Sequence, residues 1–213
     1  GYEWINHSME AHFLHEEEPR ILIGDHQCSQ PYSASILNIS AMSYGALSKN
    51  AVLALNKGAK LGGFYHNTGE GGVSDHHLAP GGDLVMQVGT AYFGCRDKDG
   101  NFDTEKFIAM STRPNIKMIE VKISQGAKPG HGGILPAKKL THEIAKIRGV
   151  EMGKDVLSPP THSAFSNPIE MLEFMAKLRE LSGGKPVGFK MCLGSRREFY
   201  AICKAMLKTG MHP

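Results

Sequence analysis

The chain has little cysteine and no spacing of cysteines that is typical of a metal or cluster site. Its four cysteines stand at positions 28, 95, 192 and 203, and no two of them form a Cys-x-x-Cys pair. We therefore expect neither a zinc ribbon nor a cluster-binding run, and reduced thiols in a cytosolic compartment fit best. Histidine is plentiful, but the pair His76-His77 has no carboxylate at a recognised ligand spacing, so no metal site is predicted.

Long apolar runs and strong net charge are also missing. No apolar run approaches the roughly 20 residues that span a bilayer, and no signal peptide is visible. The net charge is +3, with lysines and arginines scattered along the chain, and this indicates no nucleic-acid partner. With 213 residues, of which 41% are hydrophobic, the chain is long enough for one globular domain with a sizeable core.

Strands and helices alternate from residue 36 onward, after an irregular lead-in over residues 1–35. Six strands are predicted, and they cover 36–41, 63–67, 84–88, 118–124, 155–158 and 187–192. Because most of them are followed by a helix, the pattern indicates a parallel sheet with right-handed crossovers. Polar or glycine-rich loops follow most strands while the opposite connections look plain, which is typical of a (β/α)8 barrel. A doubly wound sheet is the competing fold, but the Gly-x-Gly-x-x-Gly fingerprint after its first strand is missing.

The predicted elements amount to about six β/α units, whereas a complete barrel has eight units and roughly 250 residues. We therefore expect an α/β fold of the (β/α)8 TIM-barrel type over residues 36–213, lacking about two C-terminal units. Such a fragment has two unpaired strand edges, which favour association with a partner or with a second copy of the chain.

The stretch 121–136 passes from a buried strand into a polar loop with four glycines within eight residues. Without a Cβ in the way, backbone N–H groups of such a loop can come close to an anionic or planar cofactor. Two lysines within apolar strands, Lys122 and Lys190, are costly to bury unless their charges are paired or serve a ligand. The structural alternative for each is an ion pair with Glu70 or Glu120.

Four motifs resemble successive motifs of the FMN-binding domain of glutamate synthase, in the order of that family. They lie at 40–48, 67–72, 121–136 and 158–162, and the resemblance runs from about residue 36 to residue 192. The segments 81–85, 92–97 and 184–190 look more like the stand-alone branch of glutamate-synthase-related proteins than like the large amidotransferase enzymes.

The resemblance implies an FMN-containing barrel and assigns roles to seven residues. The loop after the first strand would contact the flavin ring, the two lysines and the glutamine would lie on the flavin and 2-oxoglutarate side, and the glutamate would position the substrate or ammonia. The expected cofactor-binding residues are Ala41, Met42, Ser43, Lys122, Gln125 and Lys190, and the expected catalytic residues are Lys122, Gln125 and Glu70.

The reaction implied by the resemblance is the reduction of 2-iminoglutarate, formed from 2-oxoglutarate and ammonia or glutamine-derived ammonia, by hydride from the flavin. The loops that bind the FMN phosphate and the segment that holds the iron–sulfur cluster are expected after Pro213. We also expect a location on the cytoplasmic side, with a membrane-anchoring stretch before residue 1 in the full protein.

Two other functions remain open from the sequence. In the first, the chain is a catalytically silent fragment that self-associates through open barrel edges. In the second, it belongs to another FMN barrel, such as an isomerase or a 2-hydroxy-acid oxidase. An oxidase of that kind needs a histidine base near the flavin, and His131 and His162 are the candidates.

Overall fold

The computed structural model describes residues 9–10, 18–123 and 132–213. In these residues eight strands are found, and they are β1 Arg20–Ile23, β2 Tyr32–Ser35, β3 His66–Asn67, β4 Leu84–Val88, β5 Ile116–Lys122, β6 Ile134–Leu135, β7 Val156–Leu157 and β8 Val187–Lys190. The α-helices are α1 Lys49–Gly62, α2 Asp75–Leu78, α3 Thr104–Ser111, α4 His142–Arg148, α5 Pro168–Leu181 and α6 Arg196–Thr209.

A parallel sheet in the order β3-β4-β5-β8 forms the centre of the molecule. Helices α1, α3, α5 and α6 alternate with its strands along the chain. The predicted α/β fold is therefore confirmed, and an open parallel sheet with alternating helices is what a part of a TIM barrel provides. Among the described residues, no helix has the length and apolar character that crossing a membrane requires.

The predicted strand at 36–41 is wrong in extent, because only one residue of it pairs with the sheet. Ile39 forms an isolated parallel bridge with His66. Just before it, the Ser35 hydroxyl accepts a hydrogen bond from the Leu37 backbone N–H, and Asn38 Nδ2 donates to the Ser35 carbonyl. These local bonds bend the chain, since short polar side chains compete with the sheet for backbone groups.

The predicted strand at 155–158 forms, but it does not join the central sheet. Val156–Leu157 pairs antiparallel with Ile134–Leu135, in a separate two-stranded sheet. The pattern of Leu140, Ile144 and Ile147 predicts one helix over 136–148. The structure instead has a 3-10 turn at Ala137–Lys139 followed by α4, because Thr141 takes the N-cap position and its hydroxyl accepts from Ile144 N. The main sheet therefore has four parallel strands, and the bridge at Ile39 adds a fifth parallel segment beside β3.

The sequence predicts that α5 begins at Pro168 behind an Asn167 N-cap, and that α6 begins with a capping box from Ser195 to Glu198. The Asn167 side chain accepts hydrogen bonds from two backbone N–H groups of the first turn of α5, and Pro168 stands at the first helical position. Helix α6 also begins as predicted, but the Ser195 side chain makes no capping hydrogen bond. The antiparallel pair β1–β2 lies inside the segment expected to be irregular, and its short strands carried no clear alternation.

The two faces of the central sheet have different coverings, because successive side chains of a strand point to opposite faces. One face packs against α3, α5 and α6 in the main core, which includes Leu84, Met86, Ile119 and Val121. The other face meets the β1–β2 pair at one end, where Tyr32 and Ala34 pack against Val85 and Met118. The carboxyl end of this second face carries polar residues instead.

Candidate functional site

Polar side chains share one face of the sheet at the carboxyl ends of its strands. Gln87 on β4 is aligned with Glu120 on β5, and Lys122 on β5 is aligned with Lys190 on β8. Aligned residues of neighbouring parallel strands point to the same face, and residues two apart on a strand do so as well. In parallel α/β sheets ligands bind at this end of the strands.

Glu120 is the centre of a hydrogen-bond network on this face. Its Oε1 accepts from Asn67 Nδ2 at 2.9 Å and from Gln87 Nε2 at 2.5 Å. Burial raises the pKa of the neighbouring Tyr65, and the negative charge of Glu120 raises it further. Because both amides donate to Oε1, they fix the orientation of the Glu120 carboxylate through that one oxygen.

Lys122 forms an ion pair with Glu70, which follows β3. The distance from Lys122 Nζ to Glu70 Oε2 is 2.9 Å, and the two side chains are 11% and 25% exposed. The structural alternative for Lys122 thus holds, and two residues that the sequence assigned to catalysis are in direct contact. A Cβ built on Gly133 would lie 3.2 Å from the second oxygen of Glu70, so the chain passes very close to the pair there.

Arg148 at the end of α4 is a functional candidate that the sequence analysis missed. It is buried, its guanidinium lies 4.9 Å from the centre of the Phe93 ring, and its Nε has no hydrogen-bond partner among the described residues. Burial lowers the pKa of Arg148, and the Glu70 charge opposes that shift. Its position four residues after the buried Ile144 was the available signal, since residues i and i+4 share a helix face.

The loop after Ile39 is held by backbone bonds on both sides of Met42. Met42 N donates to the Asn67 carbonyl at 3.0 Å, and the Met42 carbonyl lies 3.0 Å from His77 Nε2. His77 Nδ1 accepts from the Ser74 backbone N–H at 3.1 Å, so the proton is assigned to Nε2, which donates to Met42. Burial lowers the pKa of His77, which keeps it neutral and preserves this arrangement.

Glycines bring the next loop into contact with Ser43. Gly69 has a φ of +67°, and a Cβ built there would lie 2.8 Å from Ser43 N. Gly71 comes almost as close, because its Cβ would lie 3.2 Å from Ser43 Cβ. Gly69 is therefore required for the two loops to touch as they do, whereas a Cβ at Gly71 would require only a small shift of Ser43.

His76 and His77 point in different directions, as expected for adjacent residues. The Nε2 of His76 lies 2.8 Å from Glu143 Oε1, and the Tyr44 hydroxyl donates to the other oxygen of Glu143. This cluster ties the Met42 loop to α4. Within 18–123 and 132–213, no group of three or more His, Cys, Asp or Glu side chains is arranged to hold a metal ion.

His162 supports the end of β5 through both of its ring nitrogens. The ring is 6% exposed, its Nε2 lies 2.8 Å from the Lys122 carbonyl, and its Nδ1 lies 3.1 Å from the Tyr92 hydroxyl. Burial lowers the pKa of His162, so the neutral ring donates through Nε2 and accepts from Tyr92. Both nitrogens are occupied, which does not fit the base of a 2-hydroxy-acid oxidase, and His131 lies outside the described residues.

A cavity of about 360 Å³ opens on the polar face, and it contains two of the predicted site residues, Ala41 and Lys190. The rest of the lining is mostly polar, and it consists of Asn38, Ser40, Tyr65, Asn67 and Glu120 together with the apolar Ile36 and Ile39. Within the described part of the chain, Lys190 forms neither a hydrogen bond through its side chain nor an ion pair. None of the described residues therefore occupies its ammonium group.

The structure thus brings the predicted residues into two neighbouring groups. Lys122 and Glu70 form the ion pair, and Ala41 and Lys190 line the cavity. Gln125 lies in the stretch 124–131, outside the described residues, together with Lys128 of the same glycine-rich loop.

Comparison with known proteins places the chain in one family. Residues 4–210 match the family described as "Conserved region in glutamate synthase". The chain is 44% identical over 206 residues to the glutamate synthase large subunit-like protein YerD of Bacillus subtilis, which covers 96% of this chain and 39% of the relative.

More distant relatives carry the name of an enzyme. The chain is 34% identical over 153 residues to the archaeal-type glutamate synthase [NADPH] of Thermotoga sp. (strain RQ2), and 35% identical over 154 residues to the archaeal glutamate synthase [NADPH] of Methanocaldococcus jannaschii. These matches cover 71% and 72% of this chain, and 28% of each relative. The chain therefore spans about two fifths or less of the length of these curated relatives.

Proposed function

Because the chain belongs to the glutamate synthase family, we propose that it forms part of an FMN-dependent oxidoreductase that converts 2-oxoglutarate and ammonia to L-glutamate. The observation that carries the proposal is the position of Lys190. Its side chain has no partner among the described residues, and it lines a cavity at the carboxyl end of the sheet, on the strand next to the one that carries Lys122 of the Lys122–Glu70 ion pair.

The cavity suits the polar edge of a flavin ring. That edge carries hydrogen-bond donors and acceptors, and most of the cavity lining is polar, including Asn38, Asn67, Glu120 and Lys190. Its volume of about 360 Å³ is within the range of roughly 300–1,000 Å³ found for small-molecule sites. Ala41, Met42, Ser43 and Lys190 would hold the ring, and Gln125 is proposed as a further contact.

FMN would supply the hydride for the reduction. Lys190 would stabilise negative charge at the polar edge of the ring, because Coulomb attraction is strong in a site with little water. The ring would lie against the backbone of Ala41–Ser43, which His77 and Asn67 hold in place. This preorganisation reduces the entropy that binding has to overcome.

Glu70, Lys122 and Arg148 provide the chemistry for a nitrogen donor and a dicarboxylic acid. With two cations and one carboxylate, this group of three residues has a net charge of +1, which favours an anionic substrate. The Glu70 carboxylate accepts hydrogen bonds, so it would orient ammonia or an imine N–H. Lys122 would bind a substrate carboxylate with the N–H groups that its contact with Glu70 leaves free.

Other parts of the proposal concern groups outside the described residues. An iron–sulfur cluster would be bound elsewhere in the protein, with an electron donor that remains to be identified. Glutamine-derived ammonia would be the alternative nitrogen source. A cytoplasmic-side location and a homo-oligomer are proposed with it.

The visible spectrum and the turnover of the purified full protein test this function. We expect flavin absorption near one FMN per chain and glutamate formation that depends on 2-oxoglutarate and a nitrogen donor. A protein that stays colourless with added FMN would support the silent-fragment alternative instead. Bound FMN without 2-oxoglutarate-dependent turnover would keep the flavoprotein assignment and reject the reaction.

A further inference from the structure

Tyr92, in the turn that follows β4, has a backbone conformation that an aromatic residue rarely adopts. Its φ is 50°, and among the described residues no other residue except glycine has a positive φ. This left-handed conformation is unfavourable for a bulky side chain, and it persists only where the surrounding structure enforces it. Glycine would adopt it without strain. The side chain of Tyr92 must therefore contribute something that glycine cannot.

The turn sends two neighbouring aromatic rings to different parts of the molecule. Tyr92 is fully buried in the main core together with Phe107, whereas Phe93 belongs to a second core cluster with Ile144. The Phe93 ring lies 4.9 Å from the guanidinium of Arg148. The strained conformation of Tyr92 therefore separates the two rings, and the Tyr92 ring is left on the side of β5.

A chain of hydrogen bonds joins the Tyr92 hydroxyl to the end of β5. The hydroxyl accepts from the Ala164 backbone N–H at 3.1 Å and donates to His162 Nδ1, also at 3.1 Å. His162 Nε2 then donates to the Lys122 carbonyl at 2.8 Å. Lys122 is the last residue of β5. The contact with His162 therefore fixes the backbone from which the Lys122 side chain extends, at the point where the strand ends.

The same turn also contacts the partner of Lys122. A Cβ built on Gly89 would lie 2.9 Å from Glu70 Cβ and 3.2 Å from Glu70 Oε2. Glu70 Oε2 is the oxygen that pairs with Lys122, and the Tyr92 backbone N–H donates to the Gly89 carbonyl at 3.0 Å. The turn thus supports both members of the ion pair. It touches Glu70 directly through Gly89, and it reaches Lys122 through Tyr92 and His162.

We propose that Tyr92 is a positioning residue, which acts through His162 to hold Lys122 where it can bind the carboxylate of the substrate. The inference rests on the proposed function, because that function assigns the carboxylate contact to Lys122. Glycine at position 92 would relieve the backbone strain, but it would leave His162 Nδ1 without its donor. The ring of His162 would then lose the contact that fixes its orientation toward the Lys122 carbonyl.

The test compares kcat/KM for 2-oxoglutarate in the full protein and in Tyr92→Phe, which removes the hydroxyl and keeps the ring. Because a misplacement of about 1 Å can cost roughly 100-fold in rate, we expect a loss of about ten- to 100-fold, mainly as an increase in KM. Oxidation of the photoreduced flavin by ferricyanide needs no carboxylate site and should keep its rate. Tyr200→Phe, at a residue of α6 that is 57% exposed, is the matched control and should change neither rate.

The effect of Tyr92→Phe should depend on the presence of His162. In a His162→Ala background, Tyr92→Phe should cause no further loss, because the connection to Lys122 is already broken. Equal losses in the two backgrounds would show that Tyr92 does not act through His162, and would overturn the inference. His162→Gln retains an amide donor that can replace Nε2, so it should keep more activity than His162→Ala.

A general loss of core packing is measured separately with Phe107→Leu. Phe107 is another fully buried ring of the same core, and no hydrogen bond joins its side chain to β5. Phe107→Leu should lower the unfolding free energy at least as much as Tyr92→Phe and leave the KM for 2-oxoglutarate unchanged. A KM that rises equally in both variants would reduce the role of Tyr92 to packing and overturn the inference.

A measurement that needs no turnover separates the inference from the proposed function. The coupling free energy between Glu70 and Lys122 in urea unfolding should fall by about half or more in a Tyr92→Phe background, because Lys122 is no longer held 2.9 Å from Glu70. Unchanged coupling would overturn the inference. Reduced coupling in a protein that does not turn over 2-oxoglutarate would keep the positioning of Lys122 and reject only the proposed reaction.

Discussion

Lys122 Nζ lies 2.9 Å from Glu70 Oε2, so an ion pair joins the end of β5 to the loop after β3 across the intervening strand β4. Both partners are mostly shielded from water. Removing one of two partly buried charges leaves the other uncompensated, and this costs more than losing an exposed pair. The pair therefore contributes to the geometry of the site as well as to its charge.

A double-mutant cycle with Glu70→Ala and Lys122→Ala measures this pair. We expect a coupling free energy of about 1–2 kcal/mol in urea unfolding, between the values typical of exposed and of fully buried pairs. The matched control is Glu151–Lys154, which has a similar distance of 2.8 Å but side chains 79% and 77% exposed. No measurable coupling is expected in the control, and equal coupling in the two cycles would contradict the role of burial.

Lys190→Met tests the charge at the polar edge of the proposed flavin. The fold should be kept, because Lys190 forms no ion pair in the described part of the chain. If its ammonium stabilises reduced flavin, the reduction potential should fall, by about 30 mV for each tenfold loss in relative affinity for the reduced form. Lys117→Met, on β5 at the far end from the cavity, is the control. An unchanged potential in Lys190→Met would remove the assigned role.

Gly69→Ala tests the contact between the two loops of the site. The new Cβ would lie 2.8 Å from Ser43 N and would also require an unfavourable φ of +67°. Gly153→Ala isolates the second effect, because its φ is +83° but nothing lies within 4 Å of the new Cβ. We expect Gly153→Ala to cost about 1–2 kcal/mol of unfolding free energy. Gly69→Ala should cost clearly more and weaken FMN binding, and equal costs would show that Ser43 moves away freely.

His66 should make the protein less stable in mild acid. It is a fully buried residue of β3 whose ring lies 5.3 Å from that of His77 on α2, both of its ring nitrogens lack hydrogen-bond partners among the described residues, and burial lowers its pKa to about 4. Between about pH 6.5 and pH 4 the unfolded state then binds more protons than the folded state. Stability is complete above the unfolded pKa and falls as pH decreases through this window, by up to about 1.4 kcal/mol per pH unit for one such group.

His66→Leu should reduce the dependence of the unfolding free energy on pH, as measured by unfolding at pH 5 and pH 7. It should also cost little at pH 7, because removing an unsatisfied buried group offsets part of the change in packing. His26→Gln, at a side chain 79% exposed, should leave the slope unchanged. If the unfolding free energy of His66→Leu depends on pH as strongly as before, the acid sensitivity is due to His77 and His162, whose pKa values burial also lowers.

The sequence predicted most where one local signal determines the outcome. Strand β4 was placed at its observed bounds, and the Asn167 cap with Pro168 located the start of α5. The two-stranded sheet β6–β7 could not be predicted, because a short apolar run does not reveal its partner or its direction.

The site shows the same limit. The strand lysines were visible as charges in apolar runs, and Glu70 could be named as a partner for Lys122. Arg148 and the contacts of His77 and His162 depend on which segments meet in space, and nothing local to those residues gives that information.

The alignment of Lys122 with Lys190 limits how the chain length between α5 and β8 can vary among relatives. Adding or deleting one residue at the Gly183–Gly184 turn would shift β8 by one position and move Lys190 to the face that packs on the helices. Length changes there should therefore be rare in this family, or occur in pairs of residues. The loop after α3 should be restricted in the same way, because a one-residue change there would shift Glu120 and Lys122 on β5 to the opposite face.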